Sequence, residues 1–310
     1  MAAKLIRRSL RRGLTLVEVL VAMGIVGFLL SLLVPAVQAV RESARRAQCL
    51  SNLHQIGVGI HNFESMHGRL PCDWQTLLDI LPNVDSGVAF VGSSPSQVEV
   101  PIPLYLCPSD SDNNHFQHPP LISYSTNDGN GVQRYGHNGV VPDELARAGE
   151  SPYVRFQDIS DGTTATVMMS ERLIQSNSEP NRLRKTRHVP VALRLPDELD
   201  QFAQACLEST VVMPPHIFYH LGGGPQLSNG LIHHHILPPN SNSCLNGPPG
   251  TGMDFLLASF GQATASSLHR GGVNVLMCDG SVKFASEHLD RKVWSAAGSR
   301  NGQESLGSLP

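Results

Sequence analysis

The sequence predicts an α+β protein in which a long N-terminal helix packs on a C-terminal globular head rich in short antiparallel strands and loops. Residues 14–34 form an apolar run of 21 residues. At ~1.5 Å per residue, a helix of that length spans ~30 Å, enough to cross a bilayer. Gly (28) and Pro (22) together make up about 16% of the 310 residues, which favours many turns and short strands in the head.

The apolar run contains a single ionisable residue, Glu18. A carboxylate inside a bilayer costs roughly 2.5–3.5 kcal/mol on insertion scales, so it marks a functional site. Cleavage after Gly13 would offset this cost, because the new α-amino group of Leu14 on a neighbouring subunit supplies a cation. Five basic residues precede the run, which predicts a cytoplasmic N-terminus and an extracytoplasmic head, in the periplasm or at the cell surface. They are Lys4, Arg7, Arg8, Arg11 and Arg12.

Two simpler interpretations of this N-terminus stay open. One is a secretory signal peptide cleaved after Ala39, and the other is an uncleaved signal anchor. An apolar signal-peptide region is usually ~7–15 residues long and has no acidic residue inside it. Here the run has 21 residues and includes Glu18, which favours a membrane helix with a further role.

Beyond residue 34, apolar residues recur at steps of three and four as far as Phe63, which predicts an amphipathic continuation of the same helix. The helix should end near His67-Gly68. Gly57 and Gly59 would let a strand approach it closely. The predicted organisation is therefore a leader (1–13), a transmembrane helix (14–34), its amphipathic continuation (35–67) and a head (68–310).

Within the head, the pattern predicts short elements separated by turns. Short helices are expected at 77–81 and 196–208, and strands at 123–127 and 165–169, with 98–105 at best an edge strand because of its prolines. The strongest signal is Asp279-Gly280 between the β-prone runs 273–278 and 281–284, which predicts a hairpin with a two-residue type I′ turn. A last short helix should begin at Ser286 or Glu287.

Composition limits the function classes. Five of the 23 Lys and Arg lie in the leader, so 18 remain against 26 Asp and Glu, a net charge of −8. That balance argues against nucleic-acid binding. Six cysteines allow 15 complete pairings, and an extracytoplasmic compartment lets disulfides persist. No Cys-x-x-Cys pair is present, which argues against a zinc ribbon or a thioredoxin-type site.

His269 and Asp279 form a His-x9-Asp-Gly element with Gly280. We expect a structural role for it, with Asp279 in the hairpin turn and His269 bracing the start of the strand. The Gly-x-Ser-x-Gly context of a hydrolase nucleophile is absent, so no catalytic residue is expected and the chain is predicted not to be an enzyme.

Three adjacent histidines, 233–235, could bind a transition metal together with His216 and His220. Adjacent residues of a strand point to opposite faces, so only His233 and His235 would converge, together with His216 or His220. No carboxylate or cysteine spacing supports a metal, so strand or loop histidines are the expectation and no metal site is predicted.

Calcium is a separate candidate. Asp110, Asp112 and Asn113 offer closely spaced oxygen atoms, as do Asp128 and Asn130. Neither group matches the twelve-residue calcium loop, and ordinary turn chemistry explains both. The prediction is therefore no cofactor.

The N-terminus resembles that of type IV prepilins and type II secretion pseudopilins. The matching features are the basic leader, Gly13 at the cut, Glu18 as fifth residue of the mature chain and Pro35 as mature residue 22. Members usually begin with a methylated Phe, whereas this chain has Leu14. The resemblance implies cleavage by a prepilin peptidase, insertion in the inner membrane and association with other pilin-like subunits.

Almost the whole chain resembles a large bacterial family of unknown function, and the resemblance is weakest over residues 183–230. Its members combine a prepilin-type start with the C-terminal His-x9-Asp-Gly element. Further matching stretches are Cys49–Gly57 with His61-Asn62, Cys107–Asp110, Ser123-Tyr124 with Asn127, Asp158–Thr164, and Leu237–Ser241 with Cys244. The family has no established activity, so the resemblance implies architecture rather than a role.

Two functions from different classes remain. The first is a pilin- or pseudopilin-like membrane-anchored subunit, processed after Gly13 and assembled through its N-terminal helix into a filament or a secretion-type pseudopilus. The alternative is a membrane-anchored extracytoplasmic module that binds a ligand such as a glycan. Glu18 favours the first, because a mere anchor does not need a carboxylate in its apolar run.

Overall fold

The structure is a computed structural model that describes residues 15–71, 76–84, 102–110, 122–131, 138–140, 153–174, 183, 186–189, 198–212, 232–246, 260–303 and 309. The chain divides into two compact units, Met1–Ala44 and Arg45–Pro310, and the boundary between them falls inside the first helix.

Helix α1 extends from Leu16 to His67 (52 residues), and Pro35 lies within it. It ends at the predicted place, where Gly68 takes a φ of +67° and its amide donates to the Glu64 carbonyl oxygen (2.7 Å). Among the described residues, α1 is the one helix long and apolar enough to cross a membrane. Its large apolar side chains from Leu16 to Val40 are 44–78% exposed. The predicted long N-terminal helix is therefore confirmed.

The part of the head that the structure describes contains a five-stranded and a three-stranded sheet. The strands are β1 (Tyr124–Gly129), β2 (Val167–Glu171), β3 (Thr186–Val189), β4 (Ile232–His234), β5 (Ser243–Asn246), β6 (Phe260–Gln262), β7 (Gly272–Met277) and β8 (Val282–Ser286). The larger sheet has the order β4-β1-β2-β7-β8 and the smaller one β3-β5-β6. Among the strands of the described residues, only β1–β4 and β3–β5 pair in parallel, so the α+β class with mostly antiparallel strands is confirmed.

The larger sheet has apolar residues buried on both faces. Along β7, Val273, Val275 and Met277 pack in one cluster with Trp294 of the last helix, while Leu276 packs in the cluster formed by α1. This alternation follows from the two-residue period of a strand. A Cβ built on Gly57 would lie 2.8 Å from Leu276 Cδ1, so the predicted close approach of a strand at Gly57 is present.

The described residues of the head also form three short α-helices: α2 (Thr76–Asp79), α3 (Leu199–Glu208) and α4 (Arg291–Gly298). The first two match the predicted elements. The predicted start of the last helix at Ser286 or Glu287 is wrong, because Asp290 accepts from the amide of Lys292 (2.8 Å) and thereby caps α4 further along the chain. Pro103–Tyr105 forms a 3₁₀ turn rather than an edge strand, and residues 98–101 lie outside the described residues.

Strands β7 and β8 form the predicted hairpin, but its turn differs from the predicted type. The amide of Met277 donates to the Ser281 carbonyl (2.8 Å) and that of Gly280 to the Met277 carbonyl (3.0 Å), so residues 278–280 form a three-residue loop. Of these, only Gly280 has a positive φ, +85°. The two-residue type I′ prediction is therefore wrong, and a turn followed by a left-handed glycine replaces it.

Four cysteines form two disulfides, Cys49–Cys107 and Cys206–Cys244. The first joins α1 to the segment after the 3₁₀ turn, and the second joins α3 to β5. Cys278 is buried and lies outside any disulfide, and Cys72 lies outside the described residues.

Candidate functional site

The N-terminal residues with a predicted role are only partly within the described chain. Gly13 and Leu14 lie outside it. Glu18 lies in the first turn of α1, where Oε2 accepts from the amide (2.8 Å) and the hydroxyl (2.9 Å) of Thr15. The Glu18 amide in turn approaches the Thr15 hydroxyl (3.3 Å). This reciprocal pair is a capping box, which satisfies helix donors and holds the carboxylate at the N-terminal end of the apolar helix.

In the head, the His-x9-Asp-Gly element contributes to a buried polar group that we name the His269 cluster: His269, Glu171, Asn274 and the Cys49–Cys107 disulfide. His269 Nε2 lies 3.2 Å from Glu171 Oε1 and 3.7 Å from Cys107 Sγ. The backbone amide of Asn274 donates to Glu171 Oε2 (2.8 Å), and its side-chain Nδ2 donates to Glu171 Oε1 (2.7 Å). Every member is buried, so these contacts replace the water that the carboxylate has lost.

The loop that carries His269 is held by a second motif. The backbone amide of His269 donates to Ser267 Oγ (3.2 Å), and the amide of Ser267 donates to Asn240 Oδ1 (2.9 Å). Asn240, with a φ of +59°, also donates Nδ2 to Glu287 Oε2 (3.0 Å). The stretch 237–241 therefore positions the His269 loop against the end of β8.

The other end of the element has separate contacts. Asp279 Oδ1 accepts from the amide (2.9 Å) and the hydroxyl (2.6 Å) of Ser281, inside the hairpin loop. The Gly280 carbonyl lies 3.3 Å from His54 Nδ1, which donates to it, so the loop contacts α1. His269 thus binds β2 and the disulfide, whereas Asp279 and Gly280 shape the turn and meet the helix. The structure does not bring His269 and Asp279 into one catalytic pair.

The run 233–235 forms a second buried polar group. His233 Nε2 lies 3.1 Å from His235 Nε2, and His235 Nδ1 donates to the Trp294 carbonyl oxygen (2.7 Å). His233 Nε2–H can donate to His235 Nε2, and Ser125 Oγ, which donates to the Ser170 carbonyl oxygen (3.3 Å), lies 3.1 Å from His233 Nδ1. Each ring nitrogen of the pair therefore has a polar neighbour. Burial lowers the pKa of His235 to about 3, and burial followed by the electrostatic interaction with His235 lowers the pKa of His233 well below its usual range.

The alternation predicted for this run is present. His234 faces the other way, with Nε2 3.1 Å from Asp128 Oδ2 and Nδ1 accepting from the Ala263 amide (3.0 Å). His216 and His220 lie outside the described residues. Gly298 at the end of α4 allows the close packing, because a Cβ there would lie 2.3 Å from His235 Cγ.

The oxygen atoms considered for calcium have protein partners. Asp110 Oδ2 accepts from the Ser123 hydroxyl (3.2 Å) and the Ile174 amide (2.9 Å). Asn130 pairs with Asn138 through their side-chain amides (2.8 Å). Asp112 and Asn113 lie outside the described residues.

Glu171 and Asn274 are central to the His269 cluster, and sequence reasoning missed both. Each lies in a strand whose residues are all buried. The signal that could have identified them is a polar residue within a run of mostly apolar strand residues, because a polar side chain in a buried strand needs a buried polar partner. Nothing in the spacing connects Glu171 to His269, since β2 and β7 pair through the tertiary fold.

Comparison with known proteins agrees with both ends of the chain. Residues 38–292 match the family described as Protein of unknown function (DUF1559), and residues 8–34 match the Prokaryotic N-terminal methylation motif. No curated protein and no solved structure matches the chain significantly. The family match covers more than half of the 310 residues and includes α1 from residue 38, both sheets and the His269 cluster. The chain therefore belongs to the DUF1559 family of proteins of unknown function and begins with a prepilin-type methylation motif.

Proposed function

We propose that the chain is a pilin-like, membrane-anchored subunit, cleaved after Gly13 by a prepilin peptidase and assembled through α1 into a filament or a secretion-type pseudopilus. The observation that carries this proposal is an apolar helix exposed on all sides whose only ionisable residue from 15 to 34 is Glu18. The prepilin-type motif over residues 8–34 supports it independently.

The exposed helix needs an apolar environment. Burial of one large apolar side chain stabilises by roughly 1.5–3 kcal/mol, and this segment exposes more than a dozen of them. Exposed apolar surface of this extent marks a membrane or protein interface. A bilayer covers the helix before assembly, and the helices of neighbouring subunits cover it afterwards.

Glu18 gives the helix a specific partner. Its carboxylate lies at the first turn, held by Thr15 next to the position where cleavage creates an α-amino group. A cation from a neighbouring subunit offsets the cost of removing this carboxylate from water. Subunits that carry both the Glu18 carboxylate and the new α-amino group would therefore align their helices at a fixed position as they assemble. A helix that serves only as a membrane anchor needs neither group.

The flanking charges and the cysteines support the proposed location of the N-terminus and the head. Five basic residues before the apolar run support a cytoplasmic N-terminus and an extracytoplasmic head. The Cys49–Cys107 and Cys206–Cys244 disulfides fit an oxidising compartment outside the inner membrane. Pilin-like families are generally structural rather than enzymatic, and the contacts of the His269 cluster support a structural role.

N-terminal sequencing of the chain from membranes tests the proposal. In cells with a prepilin peptidase, the expected first residue is Leu14, and Gly13→Val should leave the leader attached. Ala39→Val is the matched control, because it blocks a signal-peptidase cut but should leave the prepilin cut unchanged. A chain that begins at Val40, and that Ala39→Val protects, would contradict the proposal.

A further inference from the structure

We propose that the His269 cluster binds one zinc ion when its disulfide is reduced, through Cys49 Sγ, Cys107 Sγ, His269 Nε2 and Glu171 Oε1. These four atoms lie within 4.8 Å of one another, and all four residues are buried. The inference does not depend on how the N-terminus is processed. Cys49 and Cys107 would then be joined in either of two ways, by a disulfide in the oxidised head or by a metal ion in the reduced head.

The distances fit a tetrahedral ion. Ligand atoms held ~2.3 Å (sulfur) or ~2.1 Å (nitrogen, oxygen) from zinc stand roughly 3.4–3.8 Å from each other. Cys107 Sγ lies 3.7 Å from His269 Nε2 and 4.0 Å from Glu171 Oε1, and the last two atoms are 3.2 Å apart. Three edges of the tetrahedron are thus already close to the required length. The other three edges all involve Cys49 Sγ, which lies within 4.8 Å of the other ligand atoms, and reduction frees it to move away from Cys107 Sγ to the required distance.

The surrounding contacts suit a metal centre. Asn274 donates to both carboxylate oxygens of Glu171, which orients this ligand as outer-shell partners of metal sites do. The backbone amide of His269 is bonded to Ser267, so the loop is held in place. Two thiolates, an imidazole and a carboxylate are a donor set that zinc accepts.

The second disulfide lacks these features and serves as an internal reference. Cys206 and Cys244 lie beside the amide groups of Asn242 and Gln262, which are neither carboxylate nor imidazole. A general effect of free thiols would involve both cysteine pairs equally. The proposal concerns Cys49 and Cys107 alone.

The exchange balances with a dithiol as the reductant. The dithiol gives two electrons and two protons to the Cys49–Cys107 bond, forms its own disulfide and leaves two thiols in the cluster. Zinc then displaces the two thiol protons, and His269 binds it through Nε2 with its ring proton on Nδ1. Oxidation by a disulfide reverses both steps and releases the ion.

The experiment measures zinc per chain on the full chain in detergent, reduced with a dithiol without oxygen, exposed to zinc and passed over a desalting column. We expect one ion for the reduced chain and none for the oxidised chain. The double variant Cys206→Ser/Cys244→Ser should retain one ion, and Cys49→Ser/Cys107→Ser should retain none. Cobalt in place of zinc should give a thiolate-to-cobalt charge-transfer band, which histidine ligands alone cannot produce.

His269→Cys guards against a trivial loss of fold, because a thiolate can replace the imidazole as ligand, and it should keep one ion. Equal zinc content in the wild type and in Cys49→Ser/Cys107→Ser would overturn the proposal. A reduced wild-type chain that keeps its circular dichroism but holds no zinc would also overturn it, as would a reduced chain that unfolds and that zinc does not refold.

Discussion

His269 and Glu171 meet in the interior of the head, with Nε2 of the imidazole 3.2 Å from Oε1 of the carboxylate. Both side chains are almost fully buried, at 1% and 3% exposure. The contact joins the loop before β7 to the end of β2, next to the Cys49–Cys107 disulfide. It accounts for the His of the C-terminal element without any catalytic step, because the imidazole is the partner of a buried carboxylate.

Removal of this imidazole should destabilise the head. His269→Ala removes one polar partner of the buried Glu171, which keeps its two bonds from Asn274, so it should lower the free energy of unfolding by ~1–3 kcal/mol. Urea unfolding of the detergent-solubilised chain measures this. His288→Ala is the control, because that imidazole is 86% exposed, and it should change stability by less than ~0.5 kcal/mol. If His269→Ala unfolds like the parent but loses a ligand or partner, the element is a binding site rather than a structural one.

The hairpin loop should be sensitive to side-chain shape at Gly280. Its φ of +85° is strained for β-branched residues, so Gly280→Val should lower stability by roughly 1–3 kcal/mol. Gly280→Asn should be milder, because Asn adopts left-handed conformations more readily. Thermal melts of both variants provide the comparison. Equal losses would show that the side chain is excluded by contacts around the loop and that φ is not the cause.

Acid should weaken the head through the buried histidine pair. Burial lowers the pKa of His235 to about 3 and that of His233 well below its usual range. The unfolded chain binds protons below about pH 6.5 that the folded chain does not, so stability is full above that pH and falls towards about pH 3. The slope is about 1.4 kcal/mol per pH unit for each ring. Electrostatic interactions with His235, His234 and Arg172 lower the pKa of His233 further.

Urea midpoints between about pH 5 and 8 measure this dependence, because ordinary carboxylates stay ionised there while histidines titrate. His235→Gln should flatten the profile, whereas the exposed His288→Gln should leave its slope unchanged. A parent chain whose stability stays constant over this range would contradict the neutral assignment of the buried pair.

Glu18 should be needed for assembly and not for membrane insertion. Glu18→Ala removes a carboxylate that is costly inside a bilayer, so insertion should be equal or better, but the subunit should not enter filaments. Thr15→Val is the control, because it removes the hydroxyl that contacts Glu18 but keeps the carboxylate and the backbone amide that donates to it. This variant should still enter filaments. Membrane fractionation and immunodetection in sheared filaments measure the two properties. Normal incorporation of Glu18→Ala would show that the carboxylate does not select the subunit.

Periodic and local signals were sufficient for several parts of the molecule. The repeat of apolar residues predicted α1 to its end at His67, because helix formation and termination are read from spacing and from the Gly that follows. Asp279-Gly280 predicted a hairpin, since a tight reversal needs a residue with positive φ. The convergence of His233 and His235 followed from the two-residue period of a strand.

The predictions from local patterns were wrong where individual side-chain contacts determine which of several similar backbone conformations forms. The loop has three residues, its Asp279 lies outside the left-handed region that a type I′ turn demands, and the Ser281 amide donates to the Asp279 carboxylate within it. The last helix starts at Arg291 because Asp290 caps it, although several preceding residues are equally compatible with a helix start. Such boundaries depend on single hydrogen bonds of about 1 kcal/mol, which spacing alone does not reveal.

The sequence by itself determined the membrane helix, the prepilin-type start and the α+β class, because each depends on composition and period along a continuous segment. Only the tertiary structure decided which cysteines pair and which carboxylate meets His269. Cys49 lies on α1, Cys107 follows a turn, and Glu171 ends β2, so their proximity arises from sheet order and helix packing. Contacts between segments distant in the sequence depend on how the helix and the sheet pack around a shared core, and the spacing of residues within one segment does not reveal that packing.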